Sequence, residues 1–98
     1  MFDKMKQLMQ MQKSIAEMKR QLDAATFKAA GPDGAVTITM NGSQIVQAVT
    51  LSPEALGMKK EILEKSLKDA YNRAIKQSHD LAASKMKEIT GFNLPGMG

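Results

Sequence analysis

Cysteine is absent from this 98-residue chain. That excludes a disulfide framework and zinc sites built on thiolates, and it fits a chain kept in a reducing compartment. Tryptophan is absent as well, and the aromatics amount to three Phe and one Tyr. A base-stacking RNA platform needs exposed rings on a sheet, so that class is excluded. No apolar run approaches the ~20 residues that cross a bilayer, and Met1–Gln7 lacks the apolar stretch of a secretory signal. A cytoplasmic protein with no membrane partner is expected.

Histidine is nearly absent, with His79 alone. On a helical wheel it falls at the edge of the apolar arc, which is the place of a boundary residue, not of a ligand or a base. The carboxylates sit beside cations at helical spacing, and Asp69 with Arg73 and Lys76 with Asp80 are expected as ordinary i,i+4 pairs. Gly31-Pro32-Asp33-Gly34 joins two strands and opens no helix, so it is not a phosphate loop. No catalytic constellation, metal site, cofactor or small-molecule substrate is expected.

What the chain does have is pattern. Leu8, Met11, Ile15, Met18, Leu22 and Ala25 are spaced 3, 4, 3, 4 and 3, the a/d seam of a helix over residues 1–25. So narrow a seam needs a partner helix. Residues 26–51 read as a three-stranded antiparallel meander. Thr26–Ala30 is its first strand and Gly31–Gly34 a turn. Val36, Ile38 and Met40 then alternate with Thr37 and Thr39. Asn41-Gly42 is expected to be a type I′ hairpin turn, with both residues at positive φ, before Gln44–Leu51 returns.

Ser52-Pro53-Glu54 reads as a helix start, cut short by Gly57. From about Met58 to Ile89 the pattern is helical. Leu63, Leu67, Ala70, Tyr71, Ala74, Leu81, Ala82 and Ile89 occupy one arc of roughly 120°. Gly91 ends the helix, and residues 91–98 form a flexible tail. The fold is therefore α+β and a single domain over 1–98: helix, meander, then a helical region over 52–90. At 1.5 Å per residue the second helix is about 45–50 Å long, more than a domain of this size can cover. Helix length and seam each call for a homodimer.

The net charge is +4, and the sequence pI is about 9.5. Lys6, Lys13 and Arg20 recur every seven residues, opposite the seam. Lys65, Lys76 and Lys87 recur every eleven, and Arg73 lies near the same line, opposite the apolar arc. Such stripes suit a phosphate backbone through counterion release. A solvated outer face has the same composition, and Asp69, Asp80 and Glu17 interrupt or flank the stripes. No helix-turn-helix is present, so any nucleic-acid contact would be backbone and shape readout with weak sequence preference. An adaptor or chaperone-like dimer that grips protein partners is the other reading, since Met5 and Met9 beside the seam would suit an adaptable surface.

The ordered set of local motifs resembles the YbaB/EbfC family. It runs from Met5-Lys6-Gln7-Leu8-Met9-Gln10-Met11-Gln12-Lys13 through Gly34-Ala35-Val36-Thr37-Ile38-Thr39-Met40-Asn41-Gly42 and Leu51-Ser52-Pro53. It continues with Leu63-Glu64, Ala70-Tyr71-Asn72-Arg73-Ala74, Lys85-Met86 and Leu94-Pro95-Gly96. Lys65-Ser66 and Gly57-Met58-Lys59-Lys60 depart from the family pattern and leave this chain locally more basic or less apolar. The resemblance implies a homodimer with tweezer-like projecting helices that binds duplex DNA, is nucleoid-associated, and bears on nucleoid organisation and gene expression.

Overall fold

The computed structural model describes residues 2–90. The Gly91 helix stop, the tail 91–98 and the side chain of Ile89 lie outside the described residues. Helix α1 spans Phe2–Ala24, and strands β1 (Thr26–Ala30), β2 (Val36–Asn41) and β3 (Val46–Leu51) follow. A 3-10 turn over Pro53–Gly57 leads into helix α2, Lys60–Thr90. The sheet order is β1-β2-β3, both pairs antiparallel, which is the expected meander. At Ser52 the side chain makes no capping bond, and the carbonyl instead accepts the Ala55 amide at 3.0 Å.

The core lies between α2 and the first two strands. Val36, Ile38 and Met40 are buried on one face of β2, as the alternation requires. Each such side chain contributes about 1.5–3 kcal/mol on burial. Phe27 and Ala29 of β1 join them. The α2 face that meets the sheet is a line of small residues at every fourth position: Ser66, Ala70, Ala74 and Ser78, all buried. Small side chains let the helix lie close on the strands. The two serines are tolerated because each is hydrogen-bonded, Ser66 Oγ to Asp33 Oδ2 and Ser78 Oγ to the Gly42 carbonyl at 3.0 Å.

The buried face therefore sits to one side of the expected arc. Leu67 and Tyr71 are exposed instead of buried. His79 is exposed next to the buried Ser78, in line with a boundary position.

The β2–β3 connection differs from a type I′ turn. Gly42 does not have a positive φ; Gln44 does, at 66°. Its amide donates to the Asn41 carbonyl at 3.1 Å, and the Asn41 amide donates to the Ile45 carbonyl at 3.0 Å. The loop is thus one residue wider than the two-residue hairpin, with the left-handed residue at its end. Asn41 Oδ1 holds it by accepting the Ser43 and Ile45 amides at 2.9 and 3.0 Å. Gly42 is needed for a different reason. A Cβ there would lie 2.9 Å from Leu22 Cδ2 and from the Leu22 carbonyl oxygen, and 3.0 Å from Leu81 Cδ2. At this point α1, the hairpin and α2 meet.

Candidate nucleic-acid interface

Helix α1 is anchored at one end only. Leu22 is buried, and Ser14, Met18 and Gln21 are half-buried. Every residue from Asp3 to Lys13 is exposed. The free half is helical by composition, since Gln, Met, Lys and Leu are good helix formers and no Gly or Pro interrupts them. It carries Lys4, Lys6 and Lys13, and no acid occurs between Lys4 and Ala16. Among the described residues none of these three lysines makes an ion pair. Lys4 is missed by the seven-residue stripe because it lies on the seam side of the wheel. Its availability follows from the seam being uncovered there.

Arg20, the third member of the first stripe, is committed. Its Nε donates to Glu17 Oε2 at 2.9 Å and its Nη2 pairs with Glu17 Oε1. This bidentate guanidinium, helped by Gln21 Nε2 at 3.1 Å, holds the Glu17 carboxyl at about 2, well below its ordinary value. The same carboxylate raises the Arg20 pKa. Lys19 pairs with Asp23 at 3.1 Å.

The second stripe is more constrained than its spacing suggests. Arg73 Nη1 donates to the Ala30 carbonyl at 3.1 Å, tying α2 to the end of β1. The expected Asp69–Arg73 pair is not formed. Lys76 pairs with Asp80 at 3.0 Å, as expected, and both are exposed. Lys65 lines a shallow hollow with Asp33, Glu61 and Asp69, so its surroundings are acidic. The Asp33 carboxyl is held below its ordinary value, because the Ser66 hydroxyl and then the Ala35 amide donate to it. Lys87 is exposed in the last turn. The structure thus brings Lys6 and Lys13 together on a free helix and leaves the other candidates dispersed or paired.

A second surface has no signal in the charge pattern. α2 packs over β1 and β2 and leaves β3 uncovered. Val46, Val49 and Leu51 pair across from Met40, Ile38 and Val36, on the α2 side of the sheet, and are exposed. Val46 and Val49, together with Leu67 and Tyr71, form an apolar ledge with Glu64 and Lys68 at its rim. Val49 is 52% exposed and Tyr71 43%.

Among the described residues no group of His, Cys, Asp or Glu is arranged to hold a metal ion, and no helix is long and apolar enough to cross a membrane.

Known proteins resemble this chain in sequence and in fold. A nucleoid-associated protein of Clostridium kluyveri is 35% identical, over 95% of this chain and 83% of its own. One from Gloeothece citriformis is 34% identical, over 90% and 78%. The crystal structure of an uncharacterised protein from Helicobacter pylori superposes with a TM-score of 0.64 at 19% identity, covering 74% of this chain and 86% of that one, a likeness of fold. The model of the YbaB/EbfC DNA-binding family matches residues 1–93, and the chain belongs to that family.

Proposed function

We propose that this protein is a nucleoid-associated, non-enzymatic homodimer that binds duplex DNA, chiefly through its phosphate backbone, and so acts on nucleoid organisation. Family membership and the names of the relatives support DNA as the partner. The observation that carries the contact surface is the free half of α1: Lys4, Lys6 and Lys13 on a helix clear of the domain, with no acid among them. Lysines so placed displace counterions from DNA without first breaking an intrachain pair. Backbone contacts of this kind carry little sequence information. The Lys65, Arg73, Lys76 and Lys87 line is a subsidiary candidate, since Arg73 and Lys76 would each give up a partner.

The apolar ledge supports the homodimer. A strand with its apolar side chains in water is covered most simply by the same ledge of a second copy. Glu64 and Lys68, one turn apart at the rim, can then pair with Lys68 and Glu64 of the partner subunit.

The test is a gel-shift series on unrelated duplexes at several salt concentrations. The variant Lys4→Glu/Lys6→Glu/Lys13→Glu should bind every duplex more weakly. Its slope of log affinity against log salt should be shallower by about 0.9 for each phosphate no longer neutralised. The pair Lys65→Glu/Lys76→Glu should do less. A folded triple variant with the parent's affinity and slope would remove α1 as the contact surface and favour the protein-gripping adaptor.

A further inference from the structure

The seam that runs along α1 is covered for only half its length. Met18 and Leu22 pack onto the body of the protein, whereas Leu8, Met11 and Ile15, on the same line, are 59%, 59% and 54% exposed. An apolar stripe continuous with a packed one, on a helix of good propensity, has the form of half a helix pair. It shares no residue with the ledge. An isologous contact uses one patch per protomer, so a dimer closed through the ledge leaves the seam unspent.

We propose that the exposed seam of α1 is a second self-association surface, through which one dimer contacts the next when both are bound to DNA. A second copy is the occupant that the flanks favour. The residues beside Leu8, Met11 and Ile15 are Met5, Gln7, Gln12 and Ser14, all uncharged; Lys4, on the seam line one turn before Leu8, lies outside the paired stretch and, in an antiparallel pair, away from its own copy. Lys6 and Lys13 lie on the opposite side of the helix, so pairing the seams turns both lysine lines outward.

The seam is short. Leu8 to Ile15 covers two turns, about 10 Å, too little to hold two molecules together in dilute solution. Its effect appears when binding to one duplex raises the local concentration of dimers. The consequence is cooperative binding to long duplexes, or bridging of two duplexes, while a duplex that holds one dimer gains nothing. The consequence for DNA rests on the proposed DNA binding; the contact itself does not.

The test exploits the absence of cysteine. Met11 sits midway between Leu8 and Ile15, so Met11→Cys faces its counterpart in either a parallel or an antiparallel pair. Concentrated Met11→Cys protein without DNA, treated with a short thiol cross-linker, should yield covalently linked pairs. Gln10→Cys, off the seam, should yield several-fold fewer. In the same DNA-free arm, sedimentation at high concentration should show weak association of dimers, abolished in Leu8→Gln/Met11→Gln/Ile15→Gln. With DNA, the triple Gln variant should keep its affinity for a duplex that fits one dimer and lose of order tenfold on a long one. Equal cross-linking of the Gln10→Cys and Met11→Cys proteins, or dimers that stay dimers at every concentration, would overturn the proposal whether or not DNA is bound. So would a triple Gln variant that falls to monomers, since the seam would then be the primary interface. If the DNA-free arms succeed and no DNA is bound, the seam contact stands and the functional reading fails.

Discussion

The amide of Gly42 donates to the carbonyl of Leu22 at 2.9 Å, so the hairpin loop caps the last turn of α1. The same amide reaches the Ala25 carbonyl at 3.0 Å, and the Gly42 carbonyl accepts the Ser78 hydroxyl at 3.0 Å. One residue without a side chain therefore joins three elements. Gly42→Ala places a methyl 2.9 Å from the Leu22 carbonyl oxygen, a backbone atom that cannot step aside. It should destabilise the protein by about 1–3 kcal/mol, read as a lowered thermal midpoint. An unchanged midpoint would mean that α1 and the loop are not so closely joined.

Gln44 gives the opposite expectation. It holds the left-handed conformation, φ 66°, that costs a side-chain-bearing residue about 1–2 kcal/mol. Gln44→Gly removes that strain and adds some unfolded-state entropy. The net should be neutral to stabilising by up to about 1 kcal/mol, measured by denaturant unfolding. The two substitutions together distinguish this loop from a type I′ turn, in which Gly42 would carry the positive φ.

Acid should loosen α1 through Glu17. Its folded pKa of about 2 lies below the ordinary value of 4.5, because Arg20 and Gln21 donate to the charged form. A depressed carboxyl contributes stability that is complete above about pH 4.5 and is lost as pH falls toward 2. The helical circular-dichroism signal should therefore decline over that window, and Glu17→Gln should show a shallower decline. Asp23 and Asp33 are lowered too, by Ser43 with Lys19 and by Ser66 with the Ala35 amide, so both proteins keep some acid sensitivity. The difference between them isolates Glu17. An NMR titration midpoint for its carboxyl near 4.5 would remove the basis of the prediction.

The order of elements and the inward side of β2 are legible in the sequence because alternation leaves Val36, Ile38 and Met40 no other face to take. The buried line of α2 is not, since Ser66 and Ser78 read as polar until Asp33 and the Gly42 carbonyl are seen to receive their hydroxyls. Leu67 and Tyr71 read as core for the matching reason: their hydrophobicity answers to a surface the single chain does not cover. Asn41-Gly42 carries the composition of a tight turn, but the glycine is required by the approach of Leu22 and Leu81, which belong to two helices distant in sequence. The cation stripes follow from helical period alone. That Arg73 turns to the Ala30 carbonyl depends on a contact between elements that no spacing encodes, whereas the Arg20–Glu17 pair lies at the i,i+3 spacing of a helix.

The ledge carries the last expectation. Val49 and Tyr71 are exposed in the single chain, so polar replacements there should cost the protomer little, within about 0.5 kcal/mol. In a dimer closed through this surface they would be central and dry. Val49→Glu then places a carboxylate against its own copy across the two-fold axis, where burial and like charge both oppose association. The dissociation constant should rise at least about a hundredfold, or roughly 2.7 kcal/mol. Light scattering across a dilution series should show dimers for the parent and folded monomers for Val49→Glu. Tyr71→Ser should fall between them, since it removes apolar contact without adding charge. Glu64→Lys alone should weaken the dimer and Glu64→Lys/Lys68→Glu should restore it, if the two rim charges meet across the axis. A Val49→Glu protein that dimerises like the parent would exclude the ledge. The α1 seam would then be the next candidate to close the dimer.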